Sequence, residues 1–188
     1  MAPALRLLPG AFTVEMYHKL GELGILDEDD RVELLNGQIV EMTPIGRTHW
    51  MTVFRLSNLL TRRTSPDIGV SAQSSIVLGE RWEPEPDIAV LQRPGGDERD
   101  WVPGARDVLL IIEVADTSLE RDRDIKIPGY AHERIPEAWL VDVNAATITC
   151  YREPRPDGYA EARTLQRGET LQPSRLPGLE ITVDEVLG

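Results

Sequence analysis

The chain has 188 residues and a formal net charge of −12 at pH 7, and this length is typical of one domain with its own hydrophobic core. Its single cysteine, Cys150, excludes an intramolecular disulfide and a cysteine-based zinc site, which fits a cytoplasmic protein. The acidic charge argues against broad electrostatic affinity for nucleic acid, although a local basic groove remains compatible with it.

No membrane segment is expected, because no apolar run approaches the roughly 18–20 residues that a membrane span requires. Residues 1–11 are too short and too poorly patterned for a signal peptide. We predict that they form a loose lead-in to a single domain over residues 1–188.

The first third of the chain predicts a helix, a hairpin and a longer helix. Residues 13–22 favour a short helix, for which the threonine at position 13 is a suitable cap. Asn36-Gly37 is the strongest short hairpin signal, so segments 31–35 and 38–42 are predicted to pair. Residues 48–64 carry apolar side chains at helical spacing and predict an amphipathic helix.

The rest of the chain alternates strand and helix signals. The run V-L-L-I-I-E-V-A at 108–115 predicts a buried central strand. Residues 119–133 are predicted to be helical, with either a kink at Pro128 or a new helix starting near it. A short strand and a final helical turn, capped by Asp184 or Thr182, are predicted near the end. The other predicted strands are 69–78, 88–91, 138–143, 147–152 and 159–165. This order predicts an α/β fold, a mixed sheet flanked by helices with an N-terminal β-hairpin.

Two acidic residues stand at the ends of predicted neighbouring strands. Asp87 precedes strand 88–91, and Glu113 lies near the end of strand 108–115. A buried carboxylate costs several kcal/mol unless it is compensated, and two carboxylates at one sheet edge could hold a hard divalent cation between them. Lys126 supplies a positive charge downstream.

These residues resemble the motif of the PD-(D/E)xK nuclease superfamily, with Pro86-Asp87 as the first part and Glu113 as the second acid. The lysine is displaced, because the usual lysine position, two residues after the second acid, is Ala115 here. This displacement resembles the Uma2 family of restriction endonucleases. The further positions that match that family are Glu33-Leu34, Gly37, Ile39, Met42, His49, Val114, Asp122, Lys126, Tyr130-Ala131, Pro136, Trp139 and Asp142.

The resemblance covers nearly the whole chain and implies a restriction-endonuclease-like fold that hydrolyses DNA with Mg²⁺ or Mn²⁺. It implies that Asp87, Glu113 and the carbonyl of Val114 bind the metal. Lys126 would orient the attacking water or stabilise the transition state, a role that contributes about 10²–10³ in rate. Glu33 would be an outer ligand or the base for the water. A homodimer, with two sites for two strands, is a further expectation.

Each of these residues also has a structural interpretation. Asp87 after a proline is a common turn residue. Glu113 is compatible with a structural salt bridge, for example to Lys126, and Lys126 with a solvated helix face. Glu33 is compatible with a cross-strand ion pair, and His49 with an ordinary, partly buried histidine.

Other polar and aromatic residues have less specific signals. Gln73 could contact a metal-bound water or a phosphate, but polar strand residues are usually at the surface. Tyr130 and Trp139 are predicted to belong to the core. Any DNA sequence preference is expected to come from loops such as 93–106 or from readout of DNA shape.

The sequence is also compatible with two other classes of function. The displaced lysine and the acidic charge favour a non-catalytic binding module on a nuclease-like scaffold. A small-molecule phosphohydrolase is also possible, although the sequence has no glycine-rich phosphate loop.

Overall fold

A six-stranded mixed β-sheet forms the centre of the protein, in the order β3-β4-β5-β6-β7-β8. The computed structural model describes residues 12–27, 29–95 and 101–188; the predicted lead-in, 1–11, lies outside them, as do residues 96–100 of the predicted loop 93–106. The helices are α1 (Val14–Glu22), α2 (Arg47–Arg63), α3 (Leu119–Arg121), α4 (Ile127–His132) and α5 (Val183–Leu187). The strands are β1 (Val32–Leu35), β2 (Gln38–Glu41), β3 (Ile68–Ala72), β4 (Ile88–Gln92), β5 (Val108–Ala115), β6 (Glu137–Asp142), β7 (Thr147–Arg155), β8 (Gly158–Leu165), β9 (Thr170–Leu171) and β10 (Ile181–Thr182).

The strand directions bring the two predicted acids together at neighbouring ends of β4 and β5. Strands β5 and β6 are parallel, whereas β4 runs antiparallel to β5. The β4–β5 ladder ends at the pair Ile88–Ile112, so the residue before β4 and the residue after Ile112 are neighbours. Asp87 and Glu113 are these two residues.

Successive side chains of β4 and β5 point to opposite faces of the sheet, and each face has its own hydrophobic core. On one face Ile88, Val90, Leu110, Ile112 and Val114 pack with α2 and α5. On the other face Ala89, Leu91, Ile111 and Ala115 pack with the segment around α4. Glu113 has the parity of this second group, which directs its side chain toward α4.

The predicted N-terminal hairpin is confirmed. Asn36 and Gly37 both have positive φ angles, 48° and 74°, as a two-residue turn of the Asn-Gly type requires. Leu34 and Glu83 exchange backbone hydrogen bonds of 3.1 and 2.9 Å. These bonds fix the hairpin beside the segment that leads into β4, so that Glu33 lies over the end of the sheet.

The helical segment after β5 contains one π-helical turn, Asp122–Lys126, between α3 and α4. Pro128 is the second residue of α4 and directly follows the π-helical turn. The backbone is helical at Arg121, Lys126 and Ile127, so the segment is continuous, and the interpretation in which a turn ends at Ile127 and a new helix starts at Pro128 is not confirmed. The C-terminal helical turn is capped by Thr182, whose hydroxyl accepts the Glu185 N–H.

The predicted strand 69–78 is wrong beyond residue 72. Gln73 has a φ of 49°, and its N–H donates to the carbonyl of Asp87 at 3.1 Å. The chain therefore leaves the sheet, and Ile76 and Leu78 donate instead to the carbonyls of Pro84 and Trp82. The Gln73–Asp87 bond follows the register of the β3–β4 ladder, and the left-handed backbone at Gln73 ends the strand there, although the local sequence favours extension.

The α/β class, the flanking helices and the hairpin are thus as predicted. None of the helices in the described ranges combines the length and the apolar composition that crossing a membrane requires.

Candidate active site

The side chain of Asp87 makes the next hydrogen bond between the two strands, beyond the last backbone pair of the β4–β5 ladder. Its Oδ2 accepts the backbone N–H of Val114 at 2.8 Å, a bond that a strand partner would otherwise supply. Its Oδ1 lies 2.9 Å from Nε2 of His49. The turn interpretation of Asp87 is therefore incomplete, because its carboxylate is fixed at the strand ends by two different elements.

Lys126 is buried between two carboxylates, with 3% of the residue exposed. Its Nζ lies 2.9 Å from Glu113 Oε1 and 3.2 Å from Glu33 Oε2. It also donates to the carbonyl of Glu85 at 3.3 Å. An ammonium has three N–H donors, and the protein supplies three acceptors. This geometry excludes the interpretation of Lys126 as a solvated helix face.

Glu113 is one of the fully buried acids of the site, with 2% of the residue exposed. The hydroxyl of Tyr130 donates to its Oε1, which also faces Lys126. Burial raises the pKa of Glu113 to about 8, against the lowering effects of Lys126 and Tyr130. Burial also lowers the pKa of Lys126, but the charges of Glu113 and Glu33 outweigh this effect and leave it above its usual value.

Glu33 is directed away from its hairpin and into the site. Val40 lies opposite it across the hairpin, so the cross-strand ion pair is excluded. Its Oε2 instead accepts the N–H of Glu85 at 3.1 Å and faces Lys126. The hairpin thus contributes one carboxylate that is held by the segment before β4 and by the helical segment after β5.

His49 approaches Asp87 from α2, on the opposite side from Lys126. Burial lowers the pKa of His49, but the hydrogen bond to Asp87 and the charge of that carboxylate outweigh this effect, so the pKa lies above its usual value. The Nδ1 atom of His49 is buried and makes no hydrogen bond within the described part of the chain. His49 is therefore more than a packed core residue, because it holds one oxygen of Asp87.

These side chains line a small cleft with a volume of about 50 Å³. Gln73 lies at its wall, as do Gly46 and Ile45 from the start of α2. The cleft is lined by six acidic residues, namely Glu33, Glu85, Asp87, Glu113, Asp116 and Asp122, and by three basic ones, namely Arg31, Arg121 and Lys126. The site consequently has an excess of negative charge that an additional cation would offset.

The sequence matches a family described as "Putative restriction endonuclease", Uma2, over residues 14–184. The chain belongs to the Uma2 family. Its fold is similar to the crystal structure of a "putative nuclease belonging to DUF820" from Anabaena variabilis ATCC 29413, with a TM-score of 0.75 and 16% sequence identity over 94% of this chain and 97% of that one. No curated protein matches the sequence. The resemblance inferred from the motifs is therefore confirmed, and the family assignment points to a nuclease.

Two residues of this Uma2 site have roles that the sequence analysis did not assign. Asp122 is buried and accepts the Ser118 hydroxyl at 2.5 Å, and Tyr130, expected only in the core, donates to Glu113. With Lys126 they follow the spacing i, i+4 and i+8. That spacing places residues on one face of a helix. It is the feature of the sequence from which a common site for these three residues could have been predicted.

The donor set of the Uma2 cleft suits a hard divalent cation. Carboxylate oxygens are the preferred protein ligands of Mg²⁺, which often takes only one or two of them and keeps several waters. Within residues 12–27, 29–95 and 101–188, no group of three or more His, Cys, Asp or Glu side chains is arranged to hold a metal ion. The residues therefore fit a site of two carboxylates completed by water and a backbone carbonyl, rather than a cage of side chains.

Replacing Tyr130 by phenylalanine is expected to lower the free energy of unfolding by about 1.5–3 kcal/mol at pH 9, because a buried carboxylate loses a donor. The folded-state pKa of Glu113 lies above its usual value, so its stabilising contribution declines as pH rises toward 8. Loss of the hydroxyl raises that pKa further, and the deficit should be smaller at pH 6. Urea unfolding of the metal-free protein at both pH values measures this difference.

The control is Tyr159→Phe, which removes a hydroxyl that donates to a neutral acceptor, the carbonyl of Ile135, at 2.9 Å. This variant should lose about 0.5–1.5 kcal/mol, by the same amount at both pH values. Equal pH dependence of the two variants would contradict the assigned contact between Tyr130 and the ionised Glu113.

Proposed function

We propose that this protein is a metal-dependent endonuclease that hydrolyses DNA phosphodiester bonds with Mg²⁺ or Mn²⁺. The observation that supports it most strongly is the buried Lys126, which lies 2.9 Å from Glu113 and 3.2 Å from Glu33 at the strand ends where Asp87 also lies. Burying charges is costly even when they are paired, and buried ionisable groups with strongly shifted pKa values are concentrated at functional sites. The Uma2 family is described by a nuclease activity.

The proposed metal ligands are Asp87, Glu113 and the carbonyl of Val114. A bound divalent cation would lower the pKa of a coordinated water and offset the charge of the phosphate. In a strand, the N–H and C=O of one residue point to the same side. Because the N–H of Val114 faces Asp87, its carbonyl is directed to that same edge, which supports its proposed role.

Lys126 is proposed to act mainly by fixing the two carboxylates. Its three N–H donors face Glu113, Glu33 and the carbonyl of Glu85. A direct contact with the attacking water requires Lys126 to release one of these acceptors. The carbonyl of Glu85, at 3.3 Å, is the most distant of the three, so exchange there costs least.

Glu33 is proposed as the base or outer ligand for the attacking water. It is held by Lys126 and by the N–H of Glu85 through the same oxygen, Oε2. The other oxygen, Oε1, has no hydrogen bond within the described part of the chain, and we propose that this atom accepts the proton or orients the water. The carboxylate thus has one atom that fixes its position and one that can react.

Replacing Asp87 by asparagine is expected to reduce cleavage of supercoiled plasmid by about 100-fold or more, the scale of losing one essential charge-stabilising group. Asparagine has the same shape and can still accept the Val114 N–H through its oxygen, so the fold should persist. Cleavage is measured by gel electrophoresis with Mg²⁺ or Mn²⁺, and circular dichroism verifies the fold.

Asp67→Asn is the matched control, because Asp67 is an exposed residue that lines a different groove. It should cut like the parent protein. Cleavage by Asp87→Asn at the parental rate, or parental cleavage in EDTA, would rule out the proposed metal-dependent site.

A non-catalytic binding module is the second candidate. Two observations favour it: the carboxylates already have protein partners, and no group of three metal-ligating side chains occurs in the described ranges. Calorimetry with Mn²⁺ separates the two proposals, because a nuclease of this kind should bind the ion at or below millimolar concentration.

We also propose that the protein forms a homodimer, in which each of the two active sites cuts one strand of the DNA duplex. Light scattering measures the mass of the particle and tests this proposal.

A further inference from the structure

Two large aromatic side chains are exposed side by side on α2. Trp50 is 49% exposed and Phe54 is 55% exposed. Their rings stack on each other, with centroids 5.4 Å apart and an angle of 15° between the planes. A contiguous exposed apolar surface of this kind usually marks a binding site, and the buried face of α2 has its own set of residues, Thr52, Val53, Leu56 and Leu60.

The aromatic pair lies on the helix whose first turn lines the candidate active site. Trp50 directly follows His49, which contacts Asp87, and Ile45 and Gly46 at the start of the same helix line the cleft. A strand that enters the cleft beside Ile45 and Gly46 would lie next to the first turn of α2. The rings of Trp50 and Phe54 lie next along that helix.

Positive charge accompanies the aromatic pair. Arg47 is exposed and stands three and seven residues before Trp50 and Phe54, a spacing that places all three on one face of the helix. The first turn of α2 contains no acidic residue, and its N-terminal end bears the positive pole of the helix dipole. An arginine beside stacked aromatic rings is a combination suited to nucleic acid.

The charge of the cleft explains why stacking would be needed. Six acidic residues and three basic ones line it, and the whole chain has a net charge of −12. Phosphate contacts alone therefore supply little of the affinity that most nucleases draw from Lys and Arg. Base stacking does not depend on phosphate charge and tolerates any base, because every base has a π-face.

We propose that Trp50 and Phe54 form a stacking platform for an unpaired nucleobase of the DNA strand that enters the cleft. This inference rests on the proposed nuclease function and extends it, because bases are available for stacking only where a strand is single or locally opened. Single-stranded or unpaired DNA is consequently the favoured substrate, with Arg47 placed to contact its backbone.

The test measures binding in EDTA, where cleavage is prevented, by fluorescence anisotropy of labelled oligonucleotides. The probes are an oligothymidylate of about 12 nucleotides, within the usual range of single-strand sites, a strand of equal length with abasic sugars, and a duplex of that length. The parent should bind the oligothymidylate roughly 10-fold more tightly than the abasic strand. Trp50→Ala/Phe54→Ala should abolish that difference.

Val102→Ala/Ile125→Ala is the matched control, since both residues are exposed apolar side chains outside α2. It should retain the parental preference for the oligothymidylate. Parental binding by the Trp50→Ala/Phe54→Ala variant, equal binding of abasic and base-containing strands, or no measurable binding by the parent would each overturn the proposal. So would a parental dimer that the Trp50→Ala/Phe54→Ala variant splits into monomers in sedimentation velocity, because the rings would then cover another copy of the chain.

Failure of this inference is distinguishable from failure of the nuclease proposal. If the parent and the Trp50→Ala/Phe54→Ala variant cut DNA equally with Mg²⁺, the platform is wrong and the nuclease stands. If the parent binds the oligothymidylate through Trp50 and Phe54 but cuts no DNA with either metal, the stacking site stands and the nuclease is wrong.

Discussion

Replacing Lys126 by methionine is expected to abolish DNA cleavage and to lower the free energy of unfolding by about 3–5 kcal/mol, the cost of breaking a buried ion pair from one side. The variant leaves Glu113 and Glu33 buried without the cation that faces both. Methionine has a similar length and fills the same space, so the loss reflects charge rather than a cavity. Plasmid cleavage and urea unfolding measure the two effects.

The loss of stability should depend on pH in a defined direction. Lys126 lowers the pKa of Glu113 against the raising effect of burial, so its removal raises that pKa further. Protonation of the carboxyl then relieves the uncompensated charge. The Lys126→Met variant should therefore recover stability at pH 6 and lose most at pH 9.

A double variant separates stability from catalysis. Glu113→Gln/Lys126→Met removes both charges of the 2.9 Å pair, and such paired replacements are often neutral. Its unfolding free energy should exceed that of Lys126→Met, whereas its cleavage should stay absent. Lys19→Met is the surface control, because Lys19 and Glu22 form an exposed pair worth about 1 kcal/mol or less. Parental cleavage by Lys126→Met would remove the lysine from the proposed mechanism.

The sequence was sufficient for the parts of the fold that depend on local pattern. The Asn36-Gly37 dipeptide strongly favours a hairpin turn, and the apolar run of β5 favours a buried strand. The strand predicted to extend from residue 69 to residue 78 was wrong beyond residue 72, because Gln73 adopts a positive φ and residues 76 and 78 then donate hydrogen bonds to the carbonyls of Pro84 and Trp82, which no local pattern relates to them. Strand propensity depends strongly on context, and here the pairing with residues 82–84 decides where the extended segment ends.

The site was predictable in its charged residues and unpredictable in what holds them. Spacing and order selected Asp87, Glu113 and Lys126, and the strand ends bring the two acids together. The hydroxyl of Tyr130 and the carbonyl of Glu85 act through donors and acceptors that occur in every chain. Only the folded arrangement distinguishes them from ordinary core and loop atoms.

The exposed aromatic pair shows a different limit of sequence reasoning. Trp50 and Phe54 are four residues apart, a spacing equally suited to a core-facing stripe. The sheet contacts the face with Val53 and Leu56, and this choice leaves the aromatic rings outside. Which face of a helix is buried depends on the partner surface, and periodicity alone does not supply that surface.

Replacing Gly129 by alanine is expected to cost about 1–3 kcal/mol of stability or more, by overpacking the core behind the active site. A Cβ at Gly129 would overlap the buried ring of Trp82, so the ring or α4 must shift to accommodate it. Trp82 precedes Glu83, which pairs with Leu34, so displacement spreads to the hairpin that holds Glu33. Cleavage should fall as well, because small misplacements of catalytic groups cost up to about 100-fold.

Gly21→Ala is the control for this prediction, since a Cβ at Gly21 in α1 meets nothing within 4 Å. It should be neutral or stabilising by up to about 1 kcal/mol, the difference in helix propensity between alanine and glycine. Adding Trp82→Leu to Gly129→Ala should recover part of the lost stability and activity, because it removes the ring that the new methyl group meets. Thermal unfolding and plasmid cleavage of all three variants test this prediction. A Gly129→Ala protein as stable and active as the parent would show that the contact between α4 and Trp82 does not hold the hairpin over the cleft.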